Sequence, residues 1–522
     1  MKLFSKKLAH YFSTLGFICF MFILCSLALS SFCTTALSRI GDNRMNQQVL
    51  LVSDSVLPNI LFTSVFVLIL LVLHFILNRY VSLKLFSILI ILYTAISIWF
   101  VLAVGLLPRA DSYIMIEASK AFARNDYTPL QDAYFHRYSY QLGLCLIMES
   151  ICRFFPNINL NLTMQVINCL LSIVTILFLC TLSEQITSDF RTPKASLLLY
   201  FLFLPIVFFN MFVYGVLPMM AFYSGAMVFF SLYIQRKKHI YAFSYAFLLG
   251  IAVLLKPNAI VIGIALLICA IIYTLSTHDP VLLIYALLSL VLSSLFSAAV
   301  YAYYELKCGF PLLSDSSMIL RLAMGLQDSV IASGWYNGLL EEYWDLSITP
   351  QEEKASAVQM VIARLKEFRQ SPEMLRTFFT EKCLTQWSEP SYDILWYARI
   401  CAKSGRYNGL ANMLFRESSS VRALLEIYLN LFQQAAYSLA VIGSFLLYQK
   451  KKHSPISLIL PVSIIGGFLY HMIFEAKSQY IYPYMLLLIP LASYGLTSLS
   501  SLIMNTLKYH FPHSDQNVSK SS

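Results

Sequence analysis

Residues 84–113 read KLFSILIILYTAISIWFVLAVGLLPRADSY. No charge interrupts the 24 positions between Lys84 and Arg109, and a helix of about 20 apolar residues crosses a hydrocarbon core roughly 30 Å thick. Backbone immersed in lipid finds no water, so its N–H and C=O groups must pair within the segment, as a helix allows. The run ends on Arg109 and Asp111, where headgroups and water begin. A span that delivers a carboxylate to the membrane surface is the pattern from which the rest of the chain can be read.

Besides this span at 84–107, similar runs lie near 12–35, 55–77, 162–183, 196–214, 217–234, 240–255, 258–275, 280–304, 425–448, 455–473 and 479–503. Of the 522 residues, 58% are hydrophobic and 12% charged, about half the charged share of a soluble domain. These features predict an all-α polytopic membrane protein with about twelve transmembrane helices. Lys2, Lys6 and Lys7 precede a first run that is long for the core of a cleaved signal peptide. Most of the eleven cysteines sit inside apolar runs as small hydrophobes, and no CxxC or His/Cys cluster suggests zinc.

The net charge of +10 does not imply nucleic acid, because the surplus lies in short tethers beside the spans. Arg79/Lys84, Arg191/Lys194, Arg236–Lys238, Lys450–Lys452 and Lys508 read as cytoplasmic. Both termini are then cytoplasmic. Asn161 and Asn517 head N-x-S/T triplets but fall at a membrane edge or inside. The stretch 138–155 must return to the side it left, as a re-entrant or juxtamembrane helix; it carries Glu149 and Arg153 and is short.

Five regions result: N-terminal transmembrane helices (1–83), a transmembrane module (84–304) with its first outer loop at 108–140, an extracytoplasmic segment (305–425), C-terminal helices (426–503) and a cytoplasmic tail (504–522). The extracytoplasmic segment is nearly neutral, with fourteen Asp/Glu against thirteen Lys/Arg. Thr349, Pro350 and Glu352 form a helix start with a capping box. Val358, Val361, Ile362, Leu365 and Phe368 then recur at helical spacing, and Ser371-Pro372-Glu373 opens a second helix. This domain is therefore predicted to be mainly helical, roofing the membrane part and offering Trp335, Trp344, Trp387 or Trp396 as sugar platforms.

Three polar constellations converge on the outer face in this threading. The first is PRADSY at 108–113 followed by YFHRYSYQLG at 134–143, which places Asp111 near Tyr134, Arg137, Tyr138 and Gln141. The second is LKPN at 255–258, where Lys256 occupies a tight outer turn and the next helix starts directly afterwards. A helix N-terminus beside an ammonium suits an anion. The third is HMIFEAKSQYIYP at 471–483, with Glu475 and Lys477 close to bilayer depth. Each has an ordinary alternative: a solvated loop aspartate, an interfacial aromatic belt, a snorkelling lysine, and a Glu475–Lys477 ion pair. Their convergence is what favours a site.

An acidic first outer loop, a re-entrant helix, an LKPN turn and a soluble exterior segment together resemble the GT-C superfamily of polyprenyl-phosphate-dependent glycosyltransferases. That superfamily includes the protein O-mannosyltransferases and lipid A aminoarabinose transferases. YFHRYSYQLG, MGLQ…GWYNG at 324–338 and FEAKSQYIYP are similar to stretches in bacterial membrane proteins, mostly from Gram-positive organisms, assigned to it. The resemblance spans roughly 84–503 and implies a hexosyltransferase with a carboxylate in the first outer loop, the position of Asp111. Many relatives carry paired acids there, whereas here Ser112 follows. The second acid and a divalent cation requirement stay open; no metal ligand or other cofactor is assigned.

The resemblance implies a polyprenyl-phosphate-linked sugar as donor, drawn from the membrane lipid, and a glycan, lipid or protein acceptor. The sugar already carries a good leaving group, so the enzyme must activate a hydroxyl and stabilise the departing phosphate. Asp111 is then the base, Lys256 and Arg137 are phosphate contacts, and Tyr134, Tyr138, Gln141, Glu475 and Lys477 line the pocket. Single displacement would invert the anomeric centre. A polysaccharide polymerase or ligase is the alternative enzyme and would lean on arginines of the large outer loop. A lipid-linked glycan transporter is less favoured, because no internal repeat appears and the charges gather at one face.

Overall fold

The computed structural model describes residues 2–43, 45–312, 317–343, 348–402, 409–451 and 454–510. Trp344, Lys452 and Asn517 lie outside the described residues, as does the tail beyond residue 510. Among the described residues ten helices are long and apolar enough to cross a membrane, including Phe4–Cys33, Lys84–Val104, Ala259–Thr277 and Val281–Cys308. The chain is an all-α polytopic membrane protein apart from one two-stranded sheet.

Two predicted spans take other forms. The helix His239–Leu255 has 17 residues, about 25 Å at 1.5 Å per residue, so it is short for a full crossing. The run 196–214 is not one helix but two, Thr192–Leu202 and Pro205–Phe209. Pro205 has no N–H with which to continue the first helix and instead opens the second. The break is tolerated because Tyr200, Phe203, Ile206 and Phe209 are buried, so the irregular backbone meets protein rather than lipid.

The segment nevertheless runs from one end of the bundle to the other. At one end Lys194 donates to the Val81 carbonyl, Arg191 bonds Ser501, and Lys237 pairs with Asp279. At the other, Gln165 joins the carbonyls of Leu106 and Met211. The basic tethers thus gather at the first end, and the three polar constellations belong to the second. The helix Leu142–Phe154 has 13 residues and does not cross. It packs against Asp111–Ala123, and its buried Glu149 accepts bonds from Arg153, Tyr303 and Tyr304.

The first apolar run extends to residue 35, but the helix stops at Cys33. An antiparallel hairpin follows, with Thr34 opposite Ser53 and Arg39 opposite Gln48. β-Branched Thr34 and Thr35 favour the extended form once the chain leaves the bilayer. Ala36 N–H donates to the Ser388 carbonyl and Val49 N–H to that of Ile331, so the hairpin is built into the 305–425 segment.

That segment is mainly helical, with Met318–Gly325, Pro350–Gln370, Pro372–Trp387 and Ile394–Ala402 as its principal helices. The capping box of Thr349 and Glu352 forms, and Ser371 accepts from the Met374 N–H. The apolar face of Pro350–Gln370 is turned from expectation. Val361 and Phe368 are buried, while Val358, Ile362 and Leu365 are exposed. Charge rotates the helix: Glu353 is drawn inward by Arg137, and Arg364 by Asp328 and the Leu326 carbonyl. The predicted sugar platforms are corrected too. Trp335, Trp387 and Trp396 are all buried packing residues, Trp335 bonding Thr385 and Trp396 bonding the Asn46 carbonyl.

Candidate active site

Asp111 owes its place to the way the span before it ends. Gly105, in the left-handed region at φ 60, caps Leu83–Val104, and Asn161 and Gln165 then take the Leu106 carbonyl. Arg109 reaches across to the Ile400 carbonyl at 2.8 Å. Ala110 has φ 50 and ψ −132, a conformation that side chains disfavour, and Asp111 opens the helix Asp111–Ala123. The Asp111 carboxylate is half-buried and makes no hydrogen bond or ion pair among the described residues.

Lys256 stands in the turn between His239–Leu255 and Ala259–Thr277, where Pro257 interrupts the helix. It is 5% exposed, and its Nζ lies 3.5 Å from the centroid of the Tyr214 ring. The ammonium forms no hydrogen bond or ion pair with a described residue. Burial pushes its pKa down to about 7; Asp111 and Glu475 draw it back up, while Lys477 and Arg321 oppose protonation. Five charged groups from four parts of the chain therefore share one electrostatic neighbourhood. A small cavity there is lined by Lys256, Val216, Tyr223, Tyr480 and Tyr484.

Glu475 and Lys477 do not form the mutual ion pair that their spacing allows. Lys477 pairs instead with buried Asp393 at 3.4 Å and lies 5.4 Å from the Trp396 ring. Asp393 also accepts from Gln47 of the hairpin loop at 2.6 Å. Glu475 has no ion pair among the described residues. Burial raises its pKa, with Lys477 and Arg321 opposing the rise.

The aromatic run divides. Tyr134 and Tyr138 lie within the field of Asp111, and burial raises both phenol pKa values, with Asp111 adding to the rise. The Tyr134 hydroxyl and Gln141 Nε2 are buried without a hydrogen-bond partner, as is the Tyr223 hydroxyl on the cavity wall. Arg137 is not brought to Lys256: its guanidinium is held by Glu353 at 2.5 Å. The cation that takes this place is Arg321, 5.8 and 5.3 Å from the Tyr138 and Tyr140 rings. Reading the sequence missed Arg321, Tyr214 and Asp393, because none stands in a motif and each arrives from a distant segment. Among the described residues no group of three His, Cys, Asp or Glu side chains is placed to hold a metal ion.

The arrangement offers an unpaired carboxylate, a buried cation able to bind an anion, and polar side chains with unused hydrogen-bonding capacity. It suits a ligand that is both anionic and rich in hydroxyls. No protein-family model matches the chain, and no curated protein does. Among solved structures it is similar to ArnT from Cupriavidus metallidurans bound to undecaprenyl phosphate, at 13% identity over 82% of this chain and 81% of that one, with a TM-score of 0.34. That level of likeness leaves the reading of the site to the residues themselves.

Proposed function

We propose that this chain is a GT-C-type membrane glycosyltransferase that moves a sugar from a polyprenyl-phosphate donor to an acceptor hydroxyl at the outer face of a bacterial plasma membrane. The observation that carries the reading is Lys256, a buried lysine whose ammonium has no hydrogen bond or ion pair among the described residues, placed among the fields of Asp111 and Glu475. Burying an unpaired ammonium is costly. A structural lysine would be expected to have a carboxylate or backbone carbonyls within reach of its ammonium, whereas one that binds a phosphate is completed by its ligand.

In this mechanism Lys256, aided by Arg321, binds the donor phosphate and stabilises the charge that grows on it as the sugar–oxygen bond breaks. Asp111 accepts the proton of the attacking hydroxyl. Tyr134 and Gln141 provide hydrogen bonds for sugar hydroxyls from the far wall. Attack opposite the phosphate inverts the anomeric carbon, and no step requires a covalent enzyme intermediate. The acceptor is a cell-wall polymer, glycolipid or protein.

The test is to incubate the purified protein with a panel of polyprenyl-phosphate sugars and follow transfer and donor hydrolysis. Turnover that is lost in Lys256→Ala supports the reading; no reaction with any monophosphate donor overturns it. Arg321, from the large outer segment, gives the polymerase or ligase alternative its one foothold. Turnover restricted to pyrophosphate-linked glycans would decide for that alternative.

A further inference from the structure

The motif MGLQ…GWYNG at 324–338 plays no part in the chemistry above, yet it meets the turn that carries Glu475. Gly325 lies against that turn so closely that a Cβ would run into the Phe474 carbonyl. Gly334, at φ +73, packs on Lys382, where a Cβ would stand 2.6 Å from Cε and 2.8 Å from the Gly325 oxygen. Ala476 N–H donates to the Gly334 carbonyl at 2.8 Å, and Trp335 forms a parallel bridge with Ala476. Two glycines are thus required by close approach, one of them also by its backbone angle.

Lys382, on Pro372–Trp387, closes this arrangement. It is fully buried, and its Nζ donates to the Gly325 carbonyl and, at 2.7 Å, to the Phe474 carbonyl. It makes no ion pair with a described residue. Burial pushes its pKa down to about 7, and nearby Glu475 works in the opposite direction. A methionine would fill the same space without desolvating a charge. What the ammonium adds is a bond between two carbonyls that no apolar side chain can join.

We propose that Lys382 is a positioning residue for Glu475: its ammonium ties the carbonyls of Gly325 and Phe474 together and so fixes the turn that presents Glu475 to Lys256. The inference rests on the transferase reading for its effect on rate, but not for its effect on the turn. The motif and Lys382 then form one device through which the 305–425 segment, which also lends Arg321, sets the geometry of the site.

The experiment compares full-length wild-type protein with Lys382→Met, Glu475→Gln, their double variant and Gly325→Ala. Two quantities are measured: turnover at saturating donor, and amide hydrogen exchange. Lys382→Met should lower turnover by about 10²-fold, the scale of a misplaced group near a reacting centre. In the Glu475→Gln background it should change turnover by no more than about twofold, since residues acting as a unit are not additive. Exchange should accelerate over 474–480 and stay unchanged over 111–123. Gly325→Ala, which displaces the turn by a different route, should reproduce both effects. Wild-type turnover in Lys382→Met, independent losses in the double variant, or unchanged exchange over 474–480 would each overturn the inference. If wild-type protein transfers no sugar, the functional reading fails while the exchange comparison still decides whether Lys382 holds the turn.

Discussion

Lys477 Nζ lies 3.4 Å from the Asp393 carboxylate rather than on Glu475, two residues before it. The choice has a consequence for the whole site. Asp393 is 1% exposed and Lys477 only partly so, which makes the pair a tie between the 305–425 segment and the turn at 474–477. It also leaves Glu475 without a cation of its own, so that its field acts on Lys256.

Asp393→Asn should therefore act twice. Removing the carboxylate leaves a partly buried ammonium without its counter-charge, a loss of about 1–3 kcal/mol. Thermal unfolding of the detergent-solubilised protein measures this. The freed Lys477 should also turn towards Glu475 and neutralise it, lowering turnover. Unchanged stability together with unchanged turnover would mean that the pair holds nothing.

Ala110 offers a test of backbone strain. Its φ of 50 and ψ of −132 fall where glycine is at ease and alanine is not, a conformation that costs about 1–3 kcal/mol. Glycine relieves that cost but restores about 0.4–1 kcal/mol of unfolded-state freedom. Ala110→Gly should thus be neutral or stabilising, and should reduce turnover several-fold by loosening the aim of Asp111. A marked loss of thermal stability would show that Ala110 is unstrained.

The membrane architecture was legible because hydrophobic length and basic tethers are local properties. The runs at 84–107 and 280–304 are read directly, and the capping box at Thr349 and Glu352 is a four-residue signal that the helix Pro350–Gln370 repeats. What sequence could not supply was which partner each charge would choose. Arg137 stands beside tyrosines in the chain but is paired with Glu353, while Arg321 reaches those tyrosines from a segment nearly two hundred residues away. Lys477 likewise passes over its near neighbour for Asp393. The hairpin at Thr34–Ser53 was hidden for a related reason. Its register is completed by Ser388 and Ile331, which no local pattern announces.

If Asp111 is the base, Asp111→Asn keeps its size and removes the proton acceptor. Turnover should fall by roughly 10²–10⁴-fold with donor affinity little changed. Single-turnover measurements at saturating donor separate this from a binding defect, because saturation cannot restore a missing base. A variant that regains full rate at high donor would make Asp111 a positioning group and move the search for the base to Glu117 or Glu475.

The behaviour of Lys256 with pH gives the sharpest expectation. Burial holds its pKa near 7 rather than in the ordinary lysine range, and a phosphate binds the charged form. Below about pH 7 the free protein already carries the proton, so donor affinity should be level. Above it, binding must take up a proton, and affinity should fall by about tenfold per pH unit. The same shift acts on folding with a defined sign: between about pH 7 and 10 the unfolded chain holds a proton that the folded one lacks, so stability from this group rises with pH. Lys256→Arg keeps its charge throughout this range and should abolish the break in affinity near pH 7, while binding more weakly because the fork of a guanidinium fits the Tyr214 face differently. Lys256→Ala should weaken binding and slow transfer together, since the ammonium meets the phosphate before and during bond breaking. Donor titrations from about pH 6 to 9 on the three proteins decide the matter. A wild-type affinity that does not bend near pH 7 would remove Lys256 from the phosphate site.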